Sequence, residues 1–156
     1  MIEFDNVSAS LGVQAPIKTR KFNFKNLAVS GTNLTAIGYV YALDTKRAGS
    51  GVDTQAEAWR TIVALDATNI ARGFLVVAEE AKLTGNIMRG VVHGRCKAYC
   101  YGAISAGLFL KPDSSNGYFV TTTDKTDVRG MFDGAAQTAT NALNLVDVVL
   151  FNDLPC

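Results

Sequence analysis

The stretch "IMRGVVHGRCKAYCY", residues 87–101, decides the fold. Counted from Met88, the even positions are Met88, Gly90, Val92, Gly94, Cys96, Ala98 and Cys100, all apolar or small. The odd positions are Arg89, Val91, His93, Arg95, Lys97, Tyr99 and Tyr101, mostly polar or amphipathic. A period of two is the signature of an extended strand, whose successive side chains point to opposite faces. One face is therefore expected in a core and the other against water or a partner. The same geometry separates the chain's single histidine from its neighbouring cysteines. His93 on one side and Cys96 and Cys100 on the other form neither a nucleophile–base dyad nor a shared metal site. The two thiols, roughly 13 Å apart along an extended strand, are too distant to bridge each other and read as small hydrophobes. A bond from either to Cys156 stays open at this point.

Outward from this strand the period-two pattern continues. Upstream lie "ARGFLVVA" (71–78), "WRTIVAL" (59–65) and "LTAIGYVYALD" (34–44), the last two separated by a Gly- and Ser-punctuated loop. Downstream lie "LFLK" (108–111), "YFVTTT" (118–123) and "LVDVVLF" (145–151), with "KPDSSNG" (111–117) as a turn. Residues 133–144 read as a loop or one short helix, and no capped helical period of any length occurs. Glu79 and Glu80 read as part of a solvated connection. Adjacent carboxylates on extended chain point apart, so they are not an acid/base pair.

The expected fold is all-β: a single-domain antiparallel β-sandwich or partly closed β-barrel over residues 34–156, preceded by an extended N-terminal arm, residues 1–33. The arm's candidate contact residues are Lys18, Arg20, Lys21, Phe22, Phe24 and Lys25, in a run with no acid between its cations. It is either a solvated edge strand or a segment that orders against a negatively charged surface, and its removal is expected to spare folding. On the long strand, Arg89, His93, Arg95, Lys97, Tyr99 and Tyr101 form a candidate protein-interface face, since Tyr and Arg are favoured at interface hot spots. The alternative readings of that face are an ordinary exposed strand and a base-stacking surface.

Two internal echoes accompany the alternation. Arg72-Gly73 followed by Val91-Val92 returns 57 residues later as Arg129-Gly130 and Val148-Val149, and "AIGYVYALD" (36–44) returns as "SAGLFLKPD" (105–113). Both describe similar strand–loop–strand units.

Composition narrows the function. Fifteen basic residues against fourteen acidic ones leave a net charge of +1, which gives no global argument for nucleic acid or an anionic membrane. With 48% hydrophobic residues a packed core is expected. The opening "MIEFDNVSAS" has no positive run before an apolar one, so no secretory leader is expected, and no apolar run approaches the ~20 residues of a membrane helix. No phosphate loop, dinucleotide fingerprint, zinc-helix motif or nucleophile elbow is present, so no catalytic residue, metal or cofactor is expected.

The series "ARGFLVVAEEAKLTGNIMRGVVHGRCKA", "AISAGLFLKPDSSNGYFV" and "VRGMFDGAAQTATNALNLVDVVLF" resembles the capsid cement, or head decoration, proteins of tailed phages. Gly90-Val91, Gly107, Gly117, Arg129-Gly130 and Val148-Val149-Leu150 carry the likeness, over roughly residues 70–151. It departs where Gly107 is followed by Leu108 in place of an acid. The resemblance implies a homotrimer on the outer surface of an icosahedral head, assembled in the host cytoplasm. There it would bind the major capsid protein and stabilise the expanded shell. The alternatives from the residues are a carbohydrate-binding or adhesin-like module, with Tyr99, Tyr101 and Tyr118 stacking on sugars, and a small hydrolase using His93 as its base.

Overall fold

The computed structural model describes residues 18–28, 34–43, 61–65, 74–104, 109–113, 115–123, 128, 130–132 and 142–151. These form nine strands and no helix: β1 (Arg20–Asn26), β2 (Val40–Leu43), β3 (Thr61–Val63), β4 (Leu75–Ala78), β5 (Ile87–Tyr101), β6 (Phe109–Pro112), β7 (Phe119–Thr122), β8 (Gly130–Phe132) and β9 (Leu143–Leu150). The protein is all-β, as the alternation requires. Trp59, Gly107, Cys156 and the segment 133–141 lie outside the described residues.

The strands belong to one sheet whose ladder returns to β5 twice. β5 pairs with β4, β4 with β2, β2 with β3, β3 with β1, and β1 pairs back onto the first half of β5. The second half of β5 pairs with β7, β7 with β6, β6 with β8, β8 with β9, and β9 with β5 again. The two circuits repeat each other strand for strand: same order along the chain, same sense at every pairing, same stagger accumulated round the ring. The sequence echoes mark part of this repeat, aligning Val91-Val92 of β5 with Val148-Val149 of β9, and β2 with β6. Each circuit has one parallel seam, β1–β3 and β5–β7, only two residue pairs long. The sheet is thus mixed, not purely antiparallel, and neither circuit is a clean barrel.

The N-terminal segment departs from an arm over its described part. β1 lies inside the sheet, paired with β5 along Arg20–Lys25 and with β3 at Lys25 and Asn26, so it is not an edge strand either. Phe24 is 3% exposed and Asn26 fully buried. Asn26 donates its amide to the Lys82 carbonyl at 2.8 Å and accepts from the Ala28 N–H at 2.9 Å. A buried polar side chain is tolerated because every such group finds a partner.

β2 and β4, "VYAL" and "LVVA", are buried on both faces and serve two cores alternately. Val40, Ala42, Leu75, Val77 and Val91 pack with Ala98, Cys100, Leu110, Phe119, Val146, Val148 and Leu150, joining the two circuits. Tyr41, Leu43, Val76 and Ala78 pack with Phe24, Ile62, Met88 and Val92 inside the first. Continuous apolar runs are what doubly covered strands need, and each large side chain fully buried contributes about 1.5–3 kcal/mol. The same two-sided burial takes Val91 out of the exposed face of β5.

Candidate interface surface

The outer face of β5 is built by its partners. Residues opposite each other across a ladder share a face, so β1 sets Asn23 beside Arg89, Lys21 beside Val91 and Arg20 beside His93. Beyond Gly94 the partner changes to β9, which sets Asp147 beside Lys97, Leu145 beside Tyr99 and Leu143 beside Tyr101. The two groups of candidate residues, some 70 positions apart in sequence, thus merge into one strip. Phe22 and Phe24 are the exceptions: they lie opposite Gly90 and Met88 on the other face of β5, Phe24 in the core and Phe22 exposed.

The strip has two halves. In the first, Lys21 reaches Glu79 at 2.7 Å, and Arg89 reaches Glu79 at 3.1 Å and Glu80 at 3.9 Å. Glu80 also accepts the Arg89 N–H at 3.1 Å. The adjacent carboxylates are therefore partners of the strip's cations, not a catalytic pair. Such exposed pairs contribute at most about 1 kcal/mol each and act mainly to fix side-chain positions. Lys97 meets Asp147 at 3.0 Å. Thr19 donates its hydroxyl to the Arg95 carbonyl at 3.1 Å, drawing the chain around Lys18 and Arg20 onto the same region. Arg95 and Lys97 are exposed and His93 half-buried. Arg95, Cys96, Lys97 and Asp147 line an open depression there.

The second half is aromatic. Tyr99 meets Tyr39 with ring centroids 4.9 Å apart, and Tyr101 stacks on Tyr118 at 5.6 Å. Leu145 and Tyr99 border Gly38, and Tyr39 borders Gly117, so the rings and leucines are contiguous. Four of the chain's five tyrosines gather here. The fifth, Tyr41, is buried in the first circuit's core and accepts the Ala36 N–H at 2.9 Å. Ile37, Tyr101, Leu143 and Leu145 are 54%, 39%, 37% and 42% exposed. Tyr99 and Tyr101 are legible in the sequence as part of this face. Tyr39, Leu143 and Leu145 are not, because only the β5–β9 register and the turn at Gly38 bring them there.

Cys96 and Cys100 are free, and burial pushes both thiols up to about 12. They are neutral at physiological pH and poor nucleophiles. Among the described residues no group of three or more His, Cys, Asp or Glu side chains is arranged to hold a metal ion. No described helix is long and apolar enough to cross a membrane.

No family model matches the chain, and no curated protein matches it. Among solved structures it is similar to the N base of the head fiber protein gp8.5 of bacteriophage phi29. The TM-score is 0.51 at 14% sequence identity, over 89% of this chain and 100% of that one. At this identity the likeness is one of fold.

Proposed function

We propose that this protein is a structural component of a phage head, a non-enzymatic homotrimer that binds the major capsid protein on the outer surface and stabilises the expanded shell. The observation that carries the reading is the pairing of β5 with β1 and then β9, which, with the Thr19–Arg95 hydrogen bond and the Lys18 backbone beside Gly94, gathers Arg20, Lys21, Arg89, His93, Arg95 and Lys97 with the Lys18 segment into one strip. A rigid, cation-rich face suits an acidic protein surface, since complementary charge steers docking and fixes its register. The shared fold with a head fiber base supports the same setting. Binding only the expanded shell would stabilise that state by linkage, and several copies engaging together raise avidity beyond one contact. The assignment requires no catalytic step.

The test is co-sedimentation of the purified chain with expanded and unexpanded heads. Binding to expanded heads is expected, weakening between about 50 and 300 mM salt because screening acts on exposed charges. Arg20→Glu combined with Arg95→Glu is expected to weaken binding at least about tenfold with the thermal midpoint little changed. Absence of binding at any salt, or equal binding by the charge-reversed variant, would overturn the reading.

A further inference from the structure

We infer that the aromatic half of the strip, Ile37, Tyr39, Tyr99, Tyr101, Leu143 and Leu145, is the face on which a second copy of this chain docks. The inference deepens the assembly part of the reading above by naming its surface. Three observations converge. First, every described strand has a neighbour on both sides, because both circuits close on β5. No described strand thus offers a wholly unpaired edge, which favours copies meeting through side-chain faces over strand-to-strand addition.

Second, charge divides the strip. The cationic half cannot face its own copy without setting Lys18 and Arg20 against like charges, which is destabilising. Among the described residues the aromatic half is made of uncharged side chains, and its boundary residue Lys97 is already paired with Asp147. A neutral face gathered about a three-fold axis meets its own copies there without repulsion.

Third, its chemistry fits a protein partner better than a sugar. Exposed Leu143 and Leu145 lie beside Tyr101 and Tyr99, exposed Ile37 adjoins Gly38, which Leu145 and Tyr99 border, and the rings are held by their own packing; such pre-ordered aromatics lose little entropy on burial. Asp113, whose N–H donates to the Tyr118 carbonyl, has its carboxylate taken up by its own turn: Oδ1 accepts Ser115 N–H, Asn116 N–H and Asn116 Nδ2.

The experiment is light scattering on the full chain after size exclusion, with Ile37→Arg and Leu143→Arg made separately and Ile87→Ser as a control. Ile87 is 57% exposed but lies at the opposite end of β5. The expected result is an oligomer for the unaltered chain and Ile87→Ser, and monomers of unchanged circular dichroism for both arginine variants. A monomeric unaltered chain overturns the inference, as do arginine variants that keep the oligomeric mass. Saturable glycan binding lost in Tyr101→Ala, with the chain monomeric, would reassign the patch to a saccharide. Head binding separates this outcome from the functional reading. A monomeric variant that still binds heads, at least about tenfold more weakly through lost avidity, leaves both standing. An oligomer that binds no head removes only the functional reading.

Discussion

Gly94 shows how much of this molecule rests on one residue's missing side chain. It stands where β5 leaves β1 and meets β9: His93 is the last residue opposite β1, and Gly94 the first opposite β9. Its φ of 89° is one that side-chain-bearing residues rarely adopt, and an added methyl would lie 2.5 Å from the Lys18 carbonyl oxygen and 2.7 Å from the Thr19 Cα. Both obstacles are backbone, so neither swings aside. Gly94→Ala is expected to cost about 3 kcal/mol or more, read as a lowered urea midpoint with unchanged slope. The two described thiols make a second residue-scale case. Above pH 9 an unfolded cysteine ionises, while the buried ones, pushed up to about 12, keep their protons. The unfolded state is therefore favoured as pH rises. Stability fully present below pH 9 is lost toward pH 12, by up to roughly 4 kcal/mol per thiol over the whole window. Urea midpoints measured from neutral to alkaline pH are expected to fall more steeply for the native chain than for a Cys96→Ala, Cys100→Ala variant.

At the scale of the elements, β5 was legible because its alternation survives over fifteen residues. β3, β4, β6, β7 and β9 were legible within a few residues of their ends, and β2 as the last part of a longer expected strand. β1 was not recognised as an integral strand, because its burial pattern is exposed except at Phe24 and Asn26. Lys21, Phe22 and Asn23 give no hint that β5 runs alongside them. β8, three residues long, has too little sequence to show a period and surfaced only as an echo of the strand before β5. The correction has a consequence for truncation. Removing residues 1–33 takes out β1, exposes the β5 ladder and leaves the Lys82 carbonyl without the Asn26 amide. The truncated chain is expected to lose its cooperative thermal transition, where a dispensable arm would leave the midpoint unaltered.

For the whole molecule, the all-β class and the repetition could be read from the sequence, but their union could not. Nothing in the one-dimensional pattern says that a single long strand closes one circuit with its first half and opens the next with its second. The candidate surface shares that fate. Its cations and two of its tyrosines stand out in the sequence, yet only the registers of β5 with β1 and β9 place them on one strip. They also separate the charged end from the aromatic end.

Sharing β5 also orders events on the ribosome. β1 emerges some sixty residues before the strand that completes its circuit, so the nascent N-terminal half has no closed sheet until β5 is out. The second half of β5 then stands exposed as a template until β9 arrives. Loop closures of this span are slow relative to local turns, so translation rate and chaperone access between those two moments govern the yield of soluble protein.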